Sequence, residues 1–167
     1  TCKYFNIPVN GVYGCSVRPV QAELALQNNT IKVPETEEAI DLGLSVKWAP
    51  YNVGANNATE YGFLYAFGET ETKSTYTEKN YTAPSEFNID NTIYGTVHDV
   101  ATQKWGKEWR LPTNEEVEEL LSVCKINIID EGLYAIAPNG NTMFLPAAGY
   151  SSGFKREKGT LGGYYRT

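Results

Sequence analysis

The chain has 167 residues, of which 41% are hydrophobic, 13% aromatic and only 20% charged, a profile typical of one ordered domain, or of one domain with an appendage. Its formal charge of −6, with 14 scattered basic residues, argues against binding to nucleic acid or to an anionic membrane surface. The apolar runs are too short to span a bilayer, so we expect no membrane span.

In residues 1–20, two runs have the alternating pattern of β-strands, and turn-forming residues separate them. This pattern predicts a β-hairpin. The turn has two possible positions. A turn at residues 8–9 places Cys2 opposite Cys15, where a disulfide could join them, whereas a turn at residues 10–11 does not. The chain has three cysteines and no Cys-x-x-Cys or His/Cys cluster, so the sequence offers no metal site.

The middle of the chain changes character several times. Residues 21–38 contain no aromatic residues and end in a cluster of glutamates, which is typical of a linker. A strand is predicted over residues 45–52, and a second apolar stretch covers residues 61–67. Residues 70–95 are rich in Thr, Asn, Ser and Tyr. They predict a long ordered loop that its tyrosines hold against the core.

Two helices are predicted in the second half of the chain. The first covers Asp99 to Trp105 and stops at Gly106. The second runs from Asn114 to about Cys124, because Thr113 and Glu116 have the spacing of a capping box. Its hydrophobic face consists of Val117, Leu120, Leu121 and Cys124.

Two short strands are predicted after the second helix. They lie around Leu133 to Ala137 and Thr142 to Leu145, and a strong turn over residues 138–141 joins them. Together with the helices and the N-terminal hairpin, these strands predict an α+β domain that contains small antiparallel sheets and about two helices.

No group of residues suits catalysis. The glutamates between Glu115 and Glu119 are predicted to form a solvated helix face. His98 precedes Asp99, but adjacent residues do not form a proton relay, and there is no Gly-x-Ser-x-Gly or activated cysteine motif beside them. We therefore expect a protein that is not an enzyme and that has no cofactor.

Aromatic side chains provide the clearest functional signal. Tyrosine accounts for 12 residues, and its large ring with a polar tip suits contacts with carbohydrate or protein. The three tryptophans are predicted to lie in the core: Trp48, Trp105 and Trp109. Tyr76, Tyr81 and Tyr94 belong to the polar loop and are the predicted ligand-binding residues.

Several motifs recur in the order and at the spacing of a known family. They are DLGLSVKWA at 41–49, NVGA at 52–55, EYG at 60–62, FGET at 67–70, WG at 105–106, WRLPT at 109–113, NGN at 139–141, FLPAAGY at 144–150 and GGYY at 162–165. With these motifs, residues 39–167 resemble the Fibrobacter succinogenes major paralogous domain, a family common in surface proteins and lipoproteins of Bacteroidota. The resemblance implies a C-type-lectin-like fold and no established activity.

The order of one motif departs from that family. The family domain closes with a hairpin whose final sequence is similar to YGCSVRPV, and here that sequence lies at residues 13–20. The resemblance therefore implies a domain rotated in sequence, with a closing hairpin at residues 1–20, a linker at residues 21–38 and a lectin-like core at residues 39–167. The linker is long enough for the hairpin to close its own domain or to insert into a neighbouring copy.

Two functions follow from these expectations. The first is a non-enzymatic, extracellular or cell-surface lectin-like module that binds a glycan or protein ligand, or adheres to a surface. The alternative is a structural subunit of a filament or tandem array, in which each chain donates its hairpin to the next. The hairpin residues expected to make these assembly contacts are Tyr4, Phe5, Ile7, Val12, Tyr13 and Val17.

Overall fold

The computed structural model describes residues 14–21, 34, 38–84, 93–152 and 155–157. It is a mixed α+β fold, as the sequence predicts. In chain order the regular elements are β1 (Gly14–Cys15), β2 (Val20–Gln21), a 3-10 helix (Glu78–Asn80), α1 (Val100–Trp105), β3 (Trp109–Arg110), α2 (Asn114–Val123), β4 (Lys125–Ile129), β5 (Gly132–Ile136), β6 (Thr142–Pro146), β7 (Tyr150–Ser152) and β8 (Lys155–Glu157).

The described strands form three small antiparallel sheets. One sheet has the order β1-β7-β8, the second pairs β2 with β3, and the third has the order β4-β5-β6. Two of the three sheets therefore contain a strand from the N-terminal segment, residues 14–21. In the described residues, neither α-helix has the length and apolar character that crossing a membrane requires.

The two predicted helices are confirmed, and local capping determines where each begins. The Asp99 carboxylate accepts hydrogen bonds from the amides of Ala101 and Thr102 at the start of α1, and Gly106 ends that helix with a φ of 90°. At α2, Thr113 and Glu116 form the predicted capping box.

The predicted hairpin after α2 is also confirmed, and it is part of a larger sheet. Strands β5 and β6 pair with Leu133 opposite Leu145, and residues 137–141 connect them. The strand β4 was not predicted from the sequence; it precedes β5 and pairs with it through a two-residue turn at residues 130–131.

Residues 14–21 lie inside the fold of their own chain. The amide of Cys15 donates to the carbonyl of Tyr65, and the Tyr65 amide donates back, both at 2.8 Å. Farther along the segment, the Val53 amide donates to the Val17 carbonyl at 2.9 Å, and the Gln21 amide donates to a carbonyl in the 45–52 stretch, that of Lys47, at 2.9 Å. Val17, Val53 and Tyr65 are buried, so at these residues the pairing satisfies donors and acceptors that would otherwise carry a desolvation cost.

Arg18 lies in the middle of this segment and is completely buried. Its Nε donates to Asn52 Oδ1 at 2.9 Å, its Nη1 to the Ala49 carbonyl at 3.0 Å, and its Nη2 to the Phe144 carbonyl in β6 at 3.1 Å. One guanidinium therefore connects the N-terminal segment to the 49–52 stretch and to the sheet that contains β6.

The prediction of a strand over residues 45–52 is wrong. This stretch is irregular, and its one β-type contact is at Trp48, which forms isolated bridges with Val20 and Ile40. The reason is non-local. Its backbone groups are shared among the segment 14–21, the residue 40 region and the Arg18 side chain, and no single partner strand runs along it.

The hydrophobic interior consists of two large clusters and one small cluster. The first large cluster surrounds Trp105 and Trp109, whose rings pack edge to face with centroids 5.5 Å apart. The second surrounds Trp48 and includes Val20, Leu120 of α2 and Leu133 of β5. All three tryptophans are buried, so the prediction that they belong to the core is confirmed.

Replacing Arg18 with leucine is expected to lower the free energy of unfolding by about 3 kcal/mol or more, because two buried acceptors and one partly buried acceptor lose their donor. Urea unfolding monitored by tryptophan fluorescence measures this loss. The matched control is Lys107→Ala at an exposed position, which should change stability by less than about 0.5 kcal/mol. A loss below about 1 kcal/mol for Arg18→Leu would show that the guanidinium is not a structural tie.

Candidate ligand-binding cleft

A cleft of about 260 Å³ opens between three segments of the chain. Its volume lies just below the range of roughly 300–1,000 Å³ that is typical of small-molecule sites. It can therefore accept a small ligand or one unit of a longer molecule. The lining residues come from the stretch after the 45–52 region, from the polar loop and from β7: Gly62, Phe63, Leu64, Thr72, Lys73, Ser74, Tyr76 and Ser151.

Phe63 is the exposed aromatic residue of this cleft, with 55% of its surface accessible to solvent. Its amide donates to the Val53 carbonyl at 2.9 Å, which holds the backbone in place. Its ring lies against Gly54, where a Cβ atom would overlap the ring and where φ is 81°. Phe63 was not among the predicted ligand-binding residues, because it falls inside the apolar stretch 61–67 rather than in the polar loop.

Tyr76 joins two walls of the cleft. Its hydroxyl donates to the Leu64 carbonyl at 2.5 Å and accepts from the Lys73 amide at 3.2 Å. The ring is buried, with 4% of its surface exposed, and packs with Leu64 and Ala66 in the small third cluster. Thr72 and Ser74, on either side of Lys73, are exposed. Both are lining residues of the cleft, and both side chains carry a hydroxyl group.

An ion pair closes the polar loop beside the cleft. Lys73 Nζ lies 2.6 Å and 2.5 Å from the two carboxylate oxygens of Glu69 and also donates to the Asn80 carbonyl. The Thr82 amide and hydroxyl donate to the same carboxylate at 2.5 and 2.7 Å. Burial raises the pKa of Glu69, but the hydrogen bonds from Lys73 and Thr82 outweigh it and hold the pKa below its ordinary value.

The three tyrosines predicted to bind a ligand do not form one surface. Tyr81 packs against the same small cluster as Tyr76, and its hydroxyl donates to the Phe67 carbonyl at 2.8 Å. Tyr94 packs against the cluster of Trp105 and Trp109. Of the three, Tyr76 lines the cleft. The structure thus gives Tyr76 and Tyr81 a role in anchoring the polar loop, as the sequence analysis expected for the tyrosines of this region.

The predicted assembly hairpin is described only in part. Five of its six predicted contact residues lie outside the described part of the chain: Tyr4, Phe5, Ile7, Val12 and Tyr13. Cys2, the possible disulfide partner of Cys15, also lies outside it. Val17 is described, and it is buried in the cluster of Trp105 and Trp109.

The residues weighed for catalysis make structural contacts. His98 Nδ1 lies 3.2 Å from the Gly68 carbonyl. In α2, Glu116 forms a bidentate pair with Arg110, and Glu119 accepts from the Ser45 amide and hydroxyl. None of these side chains is among the lining residues of the cleft.

Asp99 is the most deeply buried carboxylate that the structure describes. Its oxygens accept from the amides of Gly95, Ala101, Thr102 and Leu111 at 2.8 to 3.2 Å. Burial raises its pKa, and the four amide hydrogen bonds offset part of that increase. Asp99 therefore joins Gly95, in the loop before α1, to Leu111 of the WRLPT motif. We assign it a structural role. Within the described ranges, no group of three His, Cys, Asp or Glu side chains could hold a metal ion.

Comparisons of this chain with family models, with curated proteins and with solved structures find no match. The fold and the site therefore rest on the geometry described above.

The Glu69 network predicts a pH-dependent contribution to stability. The folded-state pKa of Glu69 lies below its ordinary value of 4.5, so the unfolded chain takes up the proton first as the pH falls. The contribution is fully present above that value, and it is lost as the pH falls through the folded-state pKa. The native chain should therefore be more stable than a Glu69→Gln variant at neutral pH, and the difference should shrink in acid.

Urea-unfolding midpoints of the two proteins, measured from neutral pH to well below the ordinary pKa of glutamate, test this expectation. If the stability difference between the native chain and Glu69→Gln stayed constant over the whole pH range, the expectation would be contradicted. Ionisation of the Glu69 carboxylate would then contribute nothing to stability.

Proposed function

We propose that this chain is a non-enzymatic, extracellular or cell-surface module of C-type-lectin-like fold, and that it binds a glycan in the cleft beside Phe63. The observation that carries the proposal is a half-exposed aromatic ring, packed against Gly54, at a cleft of about 260 Å³. A fixed apolar ring matches the C–H face of a sugar. The neighbouring hydroxyls of Thr72 and Ser74 can exchange hydrogen bonds with the hydroxyls of that sugar.

The proposed fold and location are supported by the motifs in residues 39–167 that resemble the Fibrobacter succinogenes major paralogous domain. The α+β architecture, with two helices and small antiparallel sheets among the described residues, is consistent with a C-type-lectin-like fold. The non-enzymatic part of the proposal is supported by the structural contacts that His98, Glu116 and Glu119 make.

We favour ligand binding over the alternative function, a filament or array subunit that donates its hairpin. The described part of that hairpin, residues 14–20, already pairs with strands and loops of its own chain. Donation would require all of these contacts, including those of the buried Arg18, to be broken and formed again between chains.

An array of immobilised glycans, probed with the intact chain, is the direct test of the proposed function. We expect a restricted set of glycans to bind. Phe63→Ala should weaken binding of the strongest glycan about tenfold, which corresponds to the loss of about 1.4 kcal/mol of ring contact. Circular dichroism should show an unchanged fold, because the ring is half exposed.

The matched control is Val97→Ala, which shortens a hydrophobic side chain that is 71% exposed and does not line the cleft. This variant should bind like the native chain. The proposal is wrong if no glycan binds, or if Phe63→Ala and Val97→Ala bind the same glycan with the same affinity as the native chain.

A further inference from the structure

The β4 strand is an outer strand of its sheet in the part of the chain that the structure describes. Its neighbour is β5, and β6 lies on the far side of β5. Four of its five residues are exposed, and two of those are isoleucines: Ile128 is 42% and Ile129 is 37% accessible. An apolar, β-branched edge strand of this kind is a template for pairing with another strand.

The hydrogen-bond pattern shows which groups of β4 point away from the sheet. The Ala147 amide donates to the Glu131 carbonyl at 2.7 Å. Glu131 is an odd-numbered residue, and its carbonyl faces the β6 side. Because successive residues of a strand point their backbone groups to opposite sides, the odd-numbered residues of β5 bond to β6 and the even-numbered ones bond to β4. The residues opposite those even-numbered positions are Lys125, Asn127 and Ile129. The amides and carbonyls of Ile126 and Ile128 therefore face the open edge.

We propose that this edge binds the same edge of a second copy of the chain, in antiparallel orientation, to form a closed dimer with two-fold symmetry. In this arrangement the two three-stranded sheets become one continuous sheet through β4. The outward groups of Ile126 in one copy pair with those of Ile128 in the other, and the reverse pair forms by symmetry.

Only one register of this pairing satisfies both strands. If Ile128 of one copy paired with Ile128 of the other, Ile126 would lie opposite Asp130, a charged residue of the turn. If Ile126 of one copy paired with Ile126 of the other, Ile128 would lie opposite Cys124, whose amide already donates to the Leu120 carbonyl at the end of α2. The register with Ile126 opposite Ile128 avoids both conflicts and overlaps the whole length of β4.

Charge selects a second copy as the occupant. The β4 strand begins with a basic residue, Lys125, and is followed by two acidic residues, Asp130 and Glu131, all of them exposed. Antiparallel pairing places each Lys125 opposite Ile129 of the other copy and next to that copy's acidic turn. The edge is thus electrostatically complementary to itself in the orientation that the hydrogen bonds require.

Sedimentation velocity of the intact chain at increasing concentration tests the proposed dimer. We expect a reversible equilibrium between monomer and dimer, with no larger species. Lys125→Glu should weaken the dimer about tenfold, because it replaces two attractive contacts with repulsive ones. Lys79→Glu, which makes the same charge change at an exposed residue of the 3-10 helix, should leave the dimer unchanged.

A charge exchange separates a specific contact from a general effect of net charge. Adding Asp130→Lys and Glu131→Lys to Lys125→Glu should restore the dimer to within about threefold of the native affinity. The dimer proposal is overturned if the native chain stays monomeric, if it forms open-ended polymers, or if Lys125→Glu and Lys79→Glu weaken association equally.

The proposed register has a separate covalent test. It places the two copies of Asn127 directly opposite each other at the two-fold axis, at a Cα separation of about 4.5 to 5.5 Å that a disulfide can span. Under mild oxidation, Asn127→Cys should therefore give a covalent dimer on a non-reducing gel beyond the native chain's baseline. Equal cross-linking by Thr142→Cys, in the far strand of the same sheet, would contradict the register.

Discussion

A buried guanidinium holds this fold together. Arg18 donates to the side-chain oxygen of Asn52 and to the carbonyls of Ala49 and Phe144. These acceptors belong to two separate parts of the chain, the 49–52 stretch and β6. Burying a guanidinium is costly unless its donors are satisfied. The irregular stretch at 49–52 and the β6 strand must therefore keep their positions around it. This requirement accounts for much of the ordered but irregular backbone near Arg18.

The same N-terminal segment supports the candidate cleft. Cys15 pairs with Tyr65 through two backbone hydrogen bonds, and the Ser16 hydroxyl donates to the Tyr61 carbonyl at 3.0 Å. These contacts hold both ends of the short stretch 62–64, which forms one wall of the cleft and carries Phe63. The ring that we propose as the sugar-binding surface is therefore positioned by residues that lie about fifty positions earlier in the chain.

The parts of the structure that could be predicted from sequence are those that short-range chemistry determines. The first helix was predicted from its stop at Gly106, and the second from the capping box of Thr113 and Glu116. The β5–β6 hairpin was identified because a strong turn joins two apolar strands. In each case the residues that decide the structure lie within a few positions of one another.

The parts that were missed depend on contacts between distant residues. Arg18 precedes a proline at the end of a predicted strand, and nothing near it in sequence indicates three buried acceptors. Residues 45–52 have a strand-like pattern, yet their backbone bonds to several partners. Phe63 has the sequence surroundings of a core residue, because it lies in an apolar stretch. Its position at the surface, with the ring against Gly54, depends on tertiary contacts. The β4 strand was missed because the sequence after α2 carries no turn signal before it.

Residues 14–21 complete the core of the chain to which they belong. Isotope-filtered NMR on a sample refolded from a mixture of labelled and unlabelled chains distinguishes this arrangement from one in which the segment completes a neighbour's core. The bridge between Val20 and Trp48 places their backbone protons in close contact. We expect nuclear Overhauser effects between these two residues to arise within single chains. Effects between labelled and unlabelled chains would instead show that the segment completes a neighbour's core.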